Sequence, residues 1–446
     1  MQFYYKTNEM KVLKFGGTSV GSAARMKDVA KLICDGDQKI VVLSAMSGTT
    51  NSLVEISDYF YKNNTTGALE RINVLEQKYF VVIDELYTQA ASKAEALAEI
   101  KKHFEYLRSF SRGVFTLFEE KAVLAEGELL STTMFQLYLA EIGENSALLP
   151  ALEYMRIDKN AEPDTAYIAE NLAKQLALIP DKTIYITQGF ICRNFYGEID
   201  NLQRGGSDYT ASLVGAAAMA SEIQIWTDID GMHNNDPRFV EGTKPVPVLH
   251  FEEAAELAYF GAKILHPTCI LPAKLCNIPV RLLNTMEPKA AGTLISMKSE
   301  SGKIQAVAAK DGITAIKIKS GRMLLAHGFL RKVFEIFESH QTSIDMITTS
   351  EVGVSVSIDN AKRLDEIVND LKKFGTVTVD KDMVIICVVG DLASENTGFQ
   401  AKVVNALKDI PVRMISYGGS NYNVSFLIQA DDKKRALNAL SANLFA

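Results

Sequence analysis

The chain has 446 residues, 47% of them hydrophobic and 23% charged, with a formal net charge of -7 at pH 7. That is a soluble globular balance with enough chain for two or three domains, and its mild acidity excludes the basic footprint of a nucleic-acid binder. No run of about 18 apolar residues occurs, so no membrane span is expected, and the polar stretch Met1 to Lys11 lacks the apolar core of a signal peptide.

Val12, Leu13 and Phe15 read as a short buried strand, followed by Gly16-Gly17-Thr18-Ser19-Val20 and a small-residue run, Gly21 to Ala24, that can open a helix. Glycines let backbone N–H groups approach an anion, and a helix start adds favourable partial charge. Lys14, at the strand end, would face the same anion. The lysine precedes the glycines, unlike that of the usual phosphate loop, so that mechanism does not transfer. By spacing alone, an ordinary strand and turn with an exposed lysine fits as well.

Lys39 to Ser44 is a second strand, running into the hydroxyl-rich turn Ala45 to Asn51. Strand, polar turn and helix in repetition are the grammar of an open αβα sheet, in which ligands collect at the carboxyl ends of strands. From about Ser52 to Gln136 the pattern is helical, and within it Gly127-Glu128-Leu129-Leu130-Ser131-Thr132 sets a carboxylate beside hydroxyls. A surface or capping carboxylate is the plain alternative. Thr183 to Ile191 is the next strand. Arg204-Gly205-Gly206-Ser207-Asp208-Tyr209-Thr210 then leads to a helix from Ala211 to Ala220. An arginine there can grip a carboxylate or phosphate, and Asp208 could order a lysine or a metal; capping by Ser207 or Asp208 is the alternative.

Glu222 to Trp226 is a strand ending at Thr227-Asp228-Ile229-Asp230-Gly231, and Phe251 to Phe260 is an amphipathic helix leading to Lys263 and Pro267. Pro279 to Leu283 closes this region, and Ser299 to Lys303 reads as a linker. Beyond it lies an internal repeat. Gly328-Phe329 and Lys332-Val333 recur as Gly398-Phe399 and Lys402-Val403, and Thr314 to Ile318 aligns with Val384 to Val388. Each copy is a small split βαβ unit. Ile304 to Ala309 is positioned to complete the second copy's sheet, which would insert the first copy into the second.

The opening loop, the Arg204 loop and the Thr227 segment, in that order and followed by paired repeats, resemble the aspartate kinase family over nearly the whole chain. The resemblance implies an α/β, amino-acid-kinase-like αβα sandwich with an open, mainly parallel sheet over 1–298. Two α+β ferredoxin-like ACT domains would follow, the first copy about 312–380 and the second about 304–309 plus 382–446. It implies ATP-dependent phosphorylation of the β-carboxylate of L-aspartate to 4-phospho-L-aspartate, with Mg²⁺. On matching positions, Lys14 would steady the transferring phosphoryl group, with Gly16, Gly17 and Ser19 amides around it and Asp208 ordering the lysine and the magnesium shell. Thr50, Glu128, Arg204 and Ser207 would hold aspartate, the arginine taking its α-carboxylate and the glutamate its ammonium. Thr227, Asp228, His233, Arg238, Lys263 and Ile264 resemble nucleotide contacts. His233 stands where many relatives carry tyrosine, and Gln203 where a glycine is common.

In the first repeat, Met323, Phe329, Leu330, Ser343, Ile344, Asp345, Thr349, Ser350 and Glu351 look like the lysine-inhibited branch, which implies L-lysine as effector and a homodimer, with a tetramer open. These residues could instead only pack a regulatory dimer. Competing assignments are a kinase for glutamate or acetylglutamate, and a catalytically silent ACT sensor. No metal ligand set from the protein itself is expected. The five cysteines, Cys34, Cys192, Cys269, Cys276 and Cys387, are scattered and odd in number, which fits reduced thiols in a cytoplasmic protein.

Overall fold

The computed structural model describes residues 10–202, 205–261, 266–298, 300, 302–321, 327–393 and 395–445. The chain forms two units: Met1–Met232 with Ile264–Met297, and His233–Lys263 with Lys298–Ala446. The segment 233–263, read from the sequence as part of the kinase region, therefore packs with the C-terminal repeats.

In chain order the strands of the first unit are β1 (Lys11–Phe15), β2 (Lys39–Leu43), β3 (Ser146–Leu148), β4 (Ile184–Gln188), the hairpin β5 (Ile191–Arg193) and β6 (Ile199–Asn201), and β7 (Glu222–Thr227). After β8 (Val248–His250) of the second unit come β9 (Val280–Asn284) and β10 (Thr293–Ser296). Seven of them lie in the order β3-β4-β2-β1-β7-β9-β10. All neighbours are parallel except β10, which is antiparallel to β9. Strand β1 is central, with Lys14 opposite Val42 on β2 and Ile225 on β7. Every residue of β2 and β4 is buried, as expected of parallel strands covered on both faces. Because the strands run the same way, the turns after β1, β2 and β4 share one rim; β2 is laid on one side of β1 and β7, later in the chain, on the other, and such a reversal of strand order opens a crevice.

Helices α1 (Ala23–Ile33), α2 (Thr49–Tyr61), α3 (Thr65–Leu86), α4 (Ala90–Ser109) and α5 (Leu117–Glu141) cover the sheet, followed by α6 (Thr165–Leu178) and α7 (Gly206–Ala217). Their starts follow local chemistry. Ser22 accepts from the Arg25 amide, Asn64 from the Gly67 amide, and Thr116 with Glu119 closes a capping box. Leu13, Phe15, Trp226 and Phe135 belong to one buried cluster, with Phe15 and Trp226 stacked 5.7 Å apart. This core holds the carboxyl end of β1 rigidly. No helix among the described residues is long and apolar enough to cross a membrane.

The second unit has α8 (Phe251–Tyr259), then a six-stranded antiparallel sheet ordered β12-β13-β11-β14-β16-β15. These strands are β11 (Ile304–Lys319), β12 (Ile347–Ser350), β13 (Gly353–Ile358), β14 (Thr376–Gly390), β15 (Val412–Tyr417) and β16 (Asn423–Gln429). Long strands β11 and β14 each serve two halves: Ala306–Lys310 pairs with Val389–Ile385, whereas Ala315–Lys319 pairs with Asp380–Thr376. The continuous hydrogen-bonded ribbon joins two repeats of the ferredoxin-like α+β type. Helix α9 (Leu271–Leu275) of the first unit, and α10 (Phe329–Ser339), α11 (Leu364–Leu371), α12 (Phe399–Ala406) and α13 (Lys433–Leu444) of the second, complete the set. Separate apolar clusters underlie the halves, one around Ile316, Val333 and Val356, the other around Ile386, Val403 and Phe426.

Candidate active site

Lys14, the penultimate residue of β1, holds its ammonium 2.7 Å from Asp208 Oδ1, both side chains largely buried. Asp208 sits in the first turn of α7, whose cap is Gly205 at φ +79° with no side-chain cap. Ser207 and Asp208 are thus inside the helix, not in the loop before it. The glycine is required there: a Cβ on Gly205 would lie 2.0 Å from Cys269 Sγ. A Cβ on Gly16 would stand 3.6 Å from Lys14 Nζ, in ordinary contact with it.

Beside this pair is a cavity of about 460 Å³, walled by the turns after β1, β2 and β4 and by the starts of α2 and α7. Gly17, Thr50, Glu128 and Ser207 all line it, together with Ser44, Ser47 and Phe190. Two helix N-termini thus present positive backbone ends to one space. Ser207 Oγ accepts from Ser44 Oγ at 2.9 Å. Glu128, on α5 and 5% exposed, accepts the Ala45 amide at 3.0 Å. Burial pushes its carboxyl up to about 8, opposed by that hydrogen bond and, more weakly, by the Lys14 charge. In this cavity, burial thus favours the neutral acid.

Gly17 ties the first two turns together. A Cβ there would meet Ala45 O at 2.8 Å, and the Gly17 carbonyl accepts from the Ser47 amide. Gly17→Ala is expected to push Ala45 outward, disturb its bond to Glu128 and cost about 1–3 kcal/mol of stability. A thermal melt matching the unsubstituted chain would contradict this close approach.

The remaining expected residues are placed differently. Ser19 spends its amide on Gly16 O, and its hydroxyl is 2.7 Å from Thr285 Oγ1, fully buried; the Gly16 amide goes to Trp226 O. Neither amide is free for a phosphoryl group in this conformation. Thr227 ends β7, with its hydroxyl bonded to the Ile229 amide, and neither Thr227 nor Asp228 lines the cavity. His233 and Arg238 belong to the second unit. His233 Nδ1 is 2.9 Å from Thr243 Oγ1, and Arg238 makes a two-point pair with Asp236, 71% exposed. Arg204, Lys263, Ile264 and Met323, like Gln203, lie outside the described residues.

Among the regulatory residues, Phe329 is buried at the start of α10, Leu330 is exposed, and Thr349 and Ser350 lie on the edge strand β12. Ser343, Ile344 and Glu351 flank that strand. The Asp345 side chain is almost fully buried and takes bonds of 2.7 Å each from Lys310 Nζ and Tyr259 Oη.

Phe190 and Lys78 escape sequence reasoning. Phe190 adopts φ +66° and breaks the expected strand Thr183 to Ile191; Lys78, on α3, donates to Ser47 O at 2.6 Å. Among the described residues no group of three or more His, Cys, Asp or Glu could hold a metal. Asp208, beside Lys14, is a carboxylate of the kind that suits a Mg²⁺ carried in by nucleotide phosphates.

Comparison with known proteins gives the family. Residues 9–284 match the amino acid kinase family and 386–444 an ACT domain. Lysine-sensitive aspartokinase 3 of Escherichia coli is 33% identical, with 98% of this chain and 100% of that protein covered. Aspartokinase 1, chloroplastic, of Arabidopsis thaliana is 34% identical over 97% of this chain and 80% of its own. A crystal structure of E. coli aspartokinase III in complex with aspartate and ADP, in the R-state, superposes with a TM-score of 0.82 at 32% identity, covering 98% of this chain and 100% of that one. A structure of the same enzyme with lysine and aspartate, in the T-state, gives 0.81 at 33% over the same shares. The chain therefore belongs to the aspartokinases, the amino acid kinases that phosphorylate the β-carboxylate of L-aspartate with ATP.

Proposed function

We propose that the cavity beside Lys14 is where aspartate and the γ-phosphate of ATP meet, and that the product, 4-phospho-L-aspartate, forms there by direct transfer. The observation that carries this is the Lys14–Asp208 pair, joined in sequence through Ser207 to a cavity that Ser207 and Glu128 line. The aspartate ammonium ionises Glu128 and pairs with it, Arg204 takes the α-carboxylate, and Thr50 and Ser207 supply hydroxyls. The β-carboxylate oxygen attacks the γ-phosphorus, the bond to the bridging oxygen breaks, and ADP leaves. A carboxylate is already the nucleophile, so no general base is needed. Lys14 neutralises charge on the moving phosphoryl group, and Asp208 keeps its ammonium in place. Mg²⁺ bound to the phosphates would supply further neutralisation, with Asp208 the nearest carboxylate to help hold it. Thr227, Asp228, His233, Arg238, Lys263 and Ile264 serve the nucleotide.

The domains follow as a kinase region over 1–298 and ACT copies at 312–380 and at 304–309 plus 382–446. L-Lysine is the effector, bound by the first ACT copy around Asp345, in a cytoplasmic homodimer. Its inhibition requires different affinity for two arrangements of the protein. Hydroxylamine trapping tests both halves. An acyl hydroxamate should form from aspartate but not from glutamate or acetylglutamate, and its yield at subsaturating aspartate should fall when lysine is added. Equal yields from glutamate would remove the substrate assignment, and indifference to saturating lysine the effector assignment.

A further inference from the structure

The second unit holds a cavity of its own, about 560 Å³ in volume. Among the described residues its charged lining is of one sign: Lys244, Lys303 and Lys402 face it and no Asp or Glu does. The three lysines come from separate segments, the hairpin that pairs Asn234 with Lys244, the entry to β11, and α12. Lys303 pairs with Glu300 at 2.5 Å. Lys244 and Lys402 have no carboxylate within ion-pair distance among the described residues. Gln305 also lines the space, is 5% exposed, and its Nε2 completes no hydrogen bond. Gln305 lies near enough to Glu300 to help Lys303 hold that carboxyl below its ordinary range, yet the geometry leaves the amide donor unsatisfied. Val246, Leu444 and Phe445 form an apolar wall.

These features share a physical need. Like charges gathered at one concave site repel each other, and a buried amide donor without an acceptor costs about 1–3 kcal/mol. One acceptor-rich anion relieves both, while an apolar body fits the facing wall. We propose that this cavity binds a small organic anion, a phosphate or polycarboxylate, whose charged end engages Lys244, Lys303, Lys402 and Gln305 Nε2 and whose body rests on Val246 and Phe445. Such a ligand would clamp the 234–244 hairpin to α12 and the end of α13. The site is separate from the Lys14 cavity and does not depend on the role given to it.

Residue-level amine labelling separates this site from any binding beside Lys14. The full chain is acetylated at a limiting reagent level, with pyrophosphate, AMP or citrate added in separate arms, and each lysine is quantified by mass spectrometry. At saturation at least one probe should slow labelling of Lys244 and Lys402 roughly threefold or more relative to exposed Lys408. The phosphate and citrate arms then identify which anion chemistry the site prefers. In Lys402→Ala, a change at an exposed position, protection of Lys244 by that probe should be lost while the melting temperature is kept. Unchanged labelling in every arm, or equal slowing at Lys408, overturns the proposal.

Discussion

Lys14→Met is expected to lower kcat by about 10²–10³-fold, the usual effect of removing one group that stabilises transition-state charge, while KM for aspartate moves far less. The substitution has a second consequence that must be separated from the first. Asp208 is only 16% exposed and its partner is Lys14, so the variant leaves a largely buried carboxylate without its cation. Breaking such a pair from one side costs on the order of 3–5 kcal/mol, and a lower melting temperature should accompany the lost turnover. The double variant Lys14→Met, Asp208→Asn resolves the two effects. It should recover most of the stability, because an amide tolerates the apolar neighbour, and recover none of the turnover. If the double variant regains activity, Lys14 is a structural cation and the chemistry lies elsewhere. A single variant with kcat within about threefold of the parent would equally end its catalytic assignment.

Several of these residues are legible from sequence because their physics is local. The apolar run before Lys14 and the two glycines after it specify a strand end and a tight turn, and the structure places the lysine there. Offsets between the two C-terminal repeats likewise anticipate the pairing of Ile304–Ala309 with the second copy's strand. Other features depend on contacts no window of sequence contains. Ser207 and Asp208 lie within α7 because Gly205 itself caps the helix in the left-handed region, removing the need for a side-chain cap. The strand expected through Ile191 breaks because Phe190 turns to φ +66°, unusual for an aromatic residue and held by the Thr210 hydroxyl at its amide. Arg238 could be read as a nucleotide contact, but only the coordinates reveal that Asp236 already occupies the Nε–Nη2 edge of its guanidinium. Residues 233–263 group with the C-terminal unit for a similar reason. The 234–244 hairpin docks on β11 through the Val307 amide, and Asn235 bonds the Leu437 carbonyl, long-range contacts that composition does not announce.

Glu128 yields the sharper test, because its charge state is tied to depth. With its carboxyl raised to about 8 by burial, the empty enzyme holds it mostly protonated at neutral pH, and binding an ammonium beside it must release that proton. Between pH 6 and 8, kcat/KM for aspartate should therefore climb by up to about tenfold per unit and level off above about 8; free aspartate's side chain, titrating near 3.9, adds nothing in that range. In Glu128→Gln the slope should vanish, and KM should rise about a hundredfold as the charged partner is lost. Stability should move the other way. A carboxyl whose folded pKa exceeds its unfolded value favours folding below about 4.5 and loses that advantage as pH rises toward 8, since the unfolded chain then binds fewer protons. Glutamine keeps the acceptor for the Ala45 amide and never ionises, so Glu128→Gln should melt progressively higher than the parent as pH increases through this window. A pH-independent kcat/KM in the parent, or parallel stability curves for the two proteins, would falsify the assignment of Glu128 as the buried acid that receives the substrate ammonium.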